Sequence, residues 1–155
     1  MFVFELTNPQ STTAFFPVLS DEAIYDFIPA PSPLDLTDFV RRHCLMTTRH
    51  SFGAYLDSTR TIPIGLLEVD IQSIGVAKIG FMISCAYWRQ GFASQFVAQA
   101  ISLLDPSIKT LIATVDSENT GSIKALEKNQ FVRRGTKLGM LKKRAATEYS
   151  YQLDR

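Results

Sequence analysis

The sequence predicts an α/β protein, a mixed sheet of about seven strands with about four helices packed on it. Three observations carry that prediction. Between residues 50 and 84 the apolar pattern breaks into three short runs rich in β-branched and aromatic residues, the signature of strands. From Phe92 to Leu104 apolar residues recur instead at spacings of three and four, the period of a helix. A near-continuous apolar run, "KTLIATV" from Lys109 to Val115, then fits a strand buried on both faces beside a parallel neighbour.

The elements follow in chain order. A leading strand is expected in the opening residues. A short first helix is expected over "SDEAIYDFI", with Ser20 as its cap and Asp21 and Glu22 where the helix dipole favours negative charge. "PAPSP", Pro29 to Pro33, is a rigid extended break. Ser32 and Pro33 then read as a cap followed by proline at the first helical position, with Leu36, Phe39, Val40 and Cys44 on one side of a second helix. "SFGAYL", "TIPIGLLEVDIQS" and "VAKIGFMIS", separated by "DSTR" and "SIG", form an antiparallel meander of three strands.

The third helix carries Phe92, Ala93, Phe96, Val97, Ala100, Ile101 and Leu104 inward and stops at Asp105-Pro106, which cannot continue it. After the "KTLIATV" strand, "DSENTGSIKALEKNQ" offers several cap residues and turns Ile123 and Leu126 inward. This fourth helix ends near Asn129, a residue that tolerates left-handed geometry. "FVRRGTKLGML" and "TEYSYQL" close the chain as a hairpin.

At 155 residues with 46% apolar content, the chain is expected to form a single domain, residues 1–155, with an ordinary core. Sixteen basic residues against 15 acidic ones give a net charge of +1, which supplies no field to gather nucleic acid or a membrane. No leader pattern and no membrane-length apolar run is present, so a cytoplasmic protein is expected. Cys44 and Cys85 read as reduced thiols rather than a disulfide. His43 and His50 lack metal-ligand spacing and read as solvent-facing or hydrogen-bonded, and no metal is expected.

The stretch "YWRQGFAS", Tyr87 to Ser94, sits where a strand hands over to a helix. Unpaired amides and the helix dipole favour an anion such as a pyrophosphate there. Gly91 and Ala93 leave room for it, Ser94 adds a hydroxyl and Arg89 adds charge. An ordinary strand-to-helix connection would look the same in isolation.

The order of elements and two motifs resemble the GNAT family of acetyl-coenzyme A-dependent N-acetyltransferases. The family's pyrophosphate motif, Gln/Arg-x-x-Gly-x-Gly/Ala, is matched by "WRQGFA" at Gly91 and Ala93. Tyr87, Trp88, Gly91, Phe92, Ala93 and Ser94 are similar to the branch containing the ribosomal-protein N-terminal acetyltransferases. That branch also has Asn-x-x-Ser followed by Glu-Lys-x-Gly-Phe. "NTGSIKALEKNQF" matches at Asn119, Ser122, Glu127, Lys128 and Phe131, and "AKIGFMIS" is similar to the strand before the family's loop.

The resemblance implies a sheet whose central parallel strands splay apart beyond Gly80 to Ser84, and acetyl-coenzyme A as co-substrate. It implies that the pyrophosphate lies on the amides of Arg89, Gln90, Gly91, Phe92, Ala93 and Ser94. Ile83 and Asn119 would meet the pantetheine arm. Asn119 as a helix cap is the other reading of that residue, and both roles are compatible.

The implied reaction is direct attack of a neutral amine on the thioester, which needs a base, an oxyanion donor and an acid for the sulfur. Glu68 and Asp70 share one face of a strand, and Glu68 is the candidate base. Ser122 is the candidate near the sulfur. Solvated carboxylates and a helix-surface serine are the alternative readings. Lys78 stands where the branch often has an acid, and Leu126 stands where many members have a tyrosine. Arg89, Cys85 and Gln130 replace glycine, proline and glycine of the branch pattern.

Cys85 near the site raises an acyl-cysteine route, although no histidine neighbours it in sequence. Tyr25, Phe27 and Phe39 are candidates for the lip around an amine acceptor, either a protein N-terminus or a small molecule. Members of this fold often dimerise, so the resemblance allows a homodimer, but the sequence offers no clean seam and the oligomeric state stays open. A catalytically inactive coenzyme A sensor and an interaction domain on the same fold are the alternative functions.

Overall fold

The computed structural model describes the backbone of residues 1–44 and 48–155, and within them all side chains except those of Pro9 and Cys44. The expected thiol state of Cys44 falls outside the described residues, whereas Cys85 is a free thiol. The strands are β1 (Phe2–Leu6), β2 (Arg49–Tyr55), β3 (Pro63–Ser73), β4 (Val76–Ile83), β5 (Thr110–Asp116), β6 (Val132–Leu141) and β7 (Arg144–Asp154). They form one sheet in the order β1-β2-β3-β4-β5-β7-β6. Every pairing is antiparallel except β4 with β5. The mixed seven-stranded sheet expected from the sequence is therefore what forms.

The helices are α1 (Pro9–Thr13), α2 (Phe16–Leu19), α3 (Leu36–Cys44), α4 (Phe92–Leu103) and α5 (Thr120–Lys128). Helices α4 and α5 match the third and fourth predicted helices. On α4, Phe96, Val97 and Ala100 are fully buried in the larger core with Leu67, Val69 and Leu111. Gly65 lets β4 and α4 close over β3, because a Cβ there would lie 2.5 Å from Ile83 Cδ1, 2.8 Å from the Met82 carbonyl oxygen and 3.3 Å from Phe96 Cε1. Phe96→Ala is expected to cost about 3–5 kcal/mol, read as a lower urea midpoint with an unchanged slope.

The N-terminal third departs from the sequence reading in three ways. Ser20 ends α2 instead of starting a helix, and Asp21 caps only a 3-10 turn over Glu22–Tyr25 by accepting the Ala23 amide. The helices α1 and α2 come before it, the first capped by Asn8 with Pro9 at its start. The second predicted helix begins later, at Leu36, because Asp35 and not Ser32 accepts the amide of Asp38. Leu36 is exposed, and among the described residues of α3 Asp38, Phe39 and His43 are buried. Phe15, Leu19, Tyr25, Phe39 and Leu66 form a second core.

At the C-terminal end of α5 the left-handed residue is Gln130, with φ of 65°, one position beyond Asn129. The β6–β7 hairpin turns on Lys142 and Lys143, both with positive φ, which matches the twist that a two-residue hairpin needs.

Candidate active site

Sheet pairing between β4 and β5 covers only Val76 with Thr110, Ala77 with Leu111 and Lys78 with Ile112. Beyond Lys78 the two strands have no partner in each other, and a cleft of about 380 Å³ opens between them. Its walls along the strands are Ile79 to Met82 and Ala113 to Asp116. The segment from Tyr25 to Ala30, with Arg42 and His43 of α3, lines another part, and Asn119, Ser122 and Leu126 bring α5 to it.

Of the sequence-predicted residues, Glu68, Ser122 and Asn119 meet in this cleft. Asn119 is the cap of α5, its Oδ1 accepting the Ser122 amide at 3.1 Å, and its backbone amide donates to Asp116. Among the described residues the Asn119 Nδ2 has no hydrogen-bond acceptor. Ile83 is outside the lining: its side chain is buried in the larger core and its carbonyl accepts the Trp88 indole N–H at 2.8 Å. Tyr25 and Phe27 line the cleft, but Phe39 is fully buried beneath α3.

The residues from Arg89 to Ser94 form a separate feature at the start of α4. Strand β4 runs through the 3-10 turn Cys85–Tyr87 directly into this loop. The cap is Gly91 with φ of 82°, and the first intrahelical bond runs from the Gln95 amide to the Gly91 carbonyl. The amides of Phe92, Ala93 and Ser94 thus precede the helical ladder. A Cβ on Gly91 would meet nothing within 4 Å, so the ground above the helix end is open. Gln90 donates its side-chain amide to the Ala86 carbonyl, and Arg89 is exposed. Ser94 Oγ accepts from Asn129, which leaves its hydroxyl hydrogen free to donate.

The cleft also holds a residue that sequence reasoning did not place there. His43 Nδ1 lies 2.7 Å from Glu68 Oε1, and Arg49 donates to the same oxygen at 3.2 Å. Arg49 also bonds both oxygens of Asp70, at 2.7 and 3.1 Å, so the two acids on one strand face share one guanidinium. The His43 ring packs on Phe39 with centroids 4.5 Å apart, and its carbonyl accepts the Ser51 hydroxyl. Its Nε2 is buried and has no hydrogen-bond partner among the described residues. Such an atom costs about 1–3 kcal/mol in a folded protein. The reading of His43 as hydrogen-bonded holds, but the partner is a site carboxylate.

Neighbouring groups are shifted by this environment. Burial, opposed by the Arg42 charge, pushes the Tyr25 hydroxyl up to about 12, so it is a neutral donor, here to the Leu19 carbonyl. Burial and then the Asp21 charge push the Cys85 thiol up, away from the thiolate that an acyl-cysteine relay would use. Hydrogen bonds from Arg42, the Leu34 amide and Arg41 hold the Asp38 carboxyl well below the usual carboxylate range.

For a depressed carboxyl, the unfolded chain takes up the proton first as pH falls. The contribution of Asp38 is therefore complete above about pH 4 and is lost as pH falls further toward the folded-state value. Asp38→Asn is expected to lower the melting temperature at pH 7 and to flatten its fall below pH 4, checked by thermal melts across that range.

A family model described as an acetyltransferase (GNAT) domain matches residues 3–132. No curated protein has a matching sequence. Among solved structures, the chain is similar to a GNAT-family acetyltransferase from Bacillus anthracis, with 20% identity and a TM-score of 0.79 over 99% of this chain and 95% of that one. A GNAT-family acetyltransferase from Streptococcus pneumoniae is 15% identical with a TM-score of 0.77 over 99% of both chains. Spermidine N-acetyltransferase from Vibrio cholerae, solved with CoA and spermine, is 15% identical with a TM-score of 0.80 over 98% of this chain and 95% of that one. At these identities the structures speak for the fold, and the family match speaks for the sequence: the chain belongs to the GNAT acetyltransferase family.

Proposed function

We propose that this chain transfers the acetyl group of acetyl-coenzyme A to a primary amine, by direct attack and without an acyl-enzyme. The observation that carries the reading is the break in β4–β5 pairing after Lys78, which leaves the backbone of one β4 edge unpaired along an apolar cleft. An extended arm with its own amides can complete that edge as an added strand would. Ile79, Phe81 and Met82 offer apolar contact to its methylenes, and the Asn119 Nδ2 is a spare donor nearby. The open helix end at Gly91 fits a pyrophosphate, with the amides of Phe92, Ala93 and Ser94, the Ser94 hydroxyl and the Arg89 charge as its partners.

Bound in this way, the coenzyme supplies an activated thioester. The chain's residues do the rest. Ser122 donates a proton toward the departing sulfur and Glu68 acts on the amine side, roles that their positions in the cleft lining support. The acceptor is an amine that passes the lip made by Tyr25 and Phe27. The branch motif at Tyr87 to Ser94 favours a peptide α-amine, and the structural likeness to a spermidine N-acetyltransferase favours a polyamine.

The test is amine-dependent release of thiol from acetyl-coenzyme A, with spermidine, an amino acid and a short peptide with a free α-amine as acceptors. Release with at least one of them is expected. A catalytically silent coenzyme-binding protein is the second reading, favoured by Leu126, a hydrocarbon side chain on the cleft wall where the family resemblance leads one to expect a tyrosine. Tight coenzyme binding without release for any amine would establish that reading instead.

A further inference from the structure

We propose that His43, rather than Glu68, receives the proton of the acceptor ammonium, and that Glu68 holds the ring for that task. This rests on the acetyl-transfer reading above. His43 reaches the cleft from α3, and its Nδ1 is 2.7 Å from Glu68 Oε1. A neutral imidazole has one donor and one acceptor nitrogen. Pairing with a carboxylate puts the hydrogen on Nδ1, so Nε2 carries the lone pair. That is the atom which is buried and has no partner among the described residues.

The surroundings fix the ring. Phe39 packs against one face, Ser51 holds the backbone carbonyl, and Arg49 anchors Glu68 from the far side. Glu68 Oε1 already accepts from both His43 and Arg49, so this oxygen is engaged before any amine arrives.

The ammonium gives one proton to His43 Nε2, and the imidazolium is compensated by Glu68. The freed nitrogen lone pair forms the C–N bond at the acetyl carbonyl carbon, while the C–S bond breaks and its electron pair leaves with sulfur. The second nitrogen proton passes to that sulfur, through the Ser122 hydroxyl or directly, giving the free thiol. His43 then releases its proton to solvent. One acetamide, one thiol and one proton result.

Two measurements test the assignment. The first is nitrogen NMR of the imidazole rings in the unliganded protein, with His50→Gln to assign the second histidine. An unprotonated Nε2 on the neutral His43 ring is expected, and a hydrogen found on Nε2 overturns the proposal. The second is His43→Asn, which keeps an amide donor toward Glu68 and removes Nε2. A fall in kcat of about 100-fold is expected, with the KM for acetyl-coenzyme A within about twofold of the parent.

That deficit should narrow as pH rises and the amine arrives already neutral. Among the described residues, the charged and titratable groups around the ring and its cleft are Asp38 and Arg42 of α3, Arg49 of β2, Glu68 and Asp70 of β3, Asp116 of β5 with its partner Arg144, and Tyr25. All of them remain in the variant. A merely structural lesion leaves the ratio of rates constant with pH and overturns the proposal. An active parent with an equally active His43→Asn variant overturns the base assignment alone. A parent that releases no thiol with any amine overturns the acetyl-transfer reading, and the base assignment falls with it.

Discussion

Gly91→Glu is expected to weaken acetyl-coenzyme A binding by about 100-fold or more while leaving the fold intact. Gly91 caps α4 in a left-handed conformation, and a side chain there points into open space, not into the core. A glutamate would add a full charge a few ångströms from where the pyrophosphate is proposed to lie. Repulsion at an effective dielectric near 20 is of order a few kcal/mol, and about 2.7 kcal/mol is 100-fold in affinity.

The substitution also forces a non-glycine residue to a φ of 82°, which costs about 1–2 kcal/mol of stability. Gly91→Ala separates the two effects. It carries the backbone cost without the charge and should bind the coenzyme within severalfold of the parent. Parallel melts and titrations of both variants check this, and a glutamate variant that binds like the parent would move the phosphate site elsewhere.

Glu68→Ala is expected to reduce turnover by about 10²- to 10⁴-fold, at unchanged coenzyme affinity. The carboxylate is the shared acceptor of His43 Nδ1 and Arg49, so its removal frees the ring to rotate and leaves two donors short of a partner. A loss of about 1–3 kcal/mol in stability should accompany it. Glu68→Gln is the finer probe. Its amide oxygen can occupy the position of Oε1 and accept both bonds, so geometry survives and only the charge opposite a protonated ring is lost. A fall of roughly 10- to 100-fold in kcat is expected for it. A rate unchanged across pH would remove Glu68 from the mechanism.

Much of the architecture was legible because it depends on local periodicity. The inward stripe of Phe96, Val97 and Ala100, the stop at Asp105-Pro106 and the alternation of the last strand each follow from residues adjacent in sequence. The N-terminal third was less legible because its short helices are decided by caps that compete. Asn8, Asp21 and Asp35 won over Ser20 and Ser32, and only tertiary burial of Phe15, Leu19 and Phe39 selects among them. The signal for α1, an asparagine followed by proline, was present in the sequence.

The candidate site divides in the same way. The helix entrance at Gly91 and the Asn119 cap are contiguous motifs that can be read directly. The pairing of His43 with Glu68 spans 25 residues and exists only because α3 packs over β3. Neither residue carries a local pattern that announces the other. Ile83 needs the same tertiary information: the sequence places it on the strand beside the cleft, whereas the acceptance of the Trp88 indole N–H by its carbonyl and its position next to the last lining residue, Met82, appear only in the fold.

Acetyl-coenzyme A binding, as proposed, needs a cleft that accepts the pantetheine arm and a helix end that accepts the pyrophosphate. Calorimetric titration with acetyl-coenzyme A, beside coenzyme A and adenosine diphosphate, tests both at once. Tight binding of the two coenzyme forms, with adenosine diphosphate much weaker because it lacks the arm, is the predicted result. A well-folded protein that binds none of them, or binds all three equally, would contradict it.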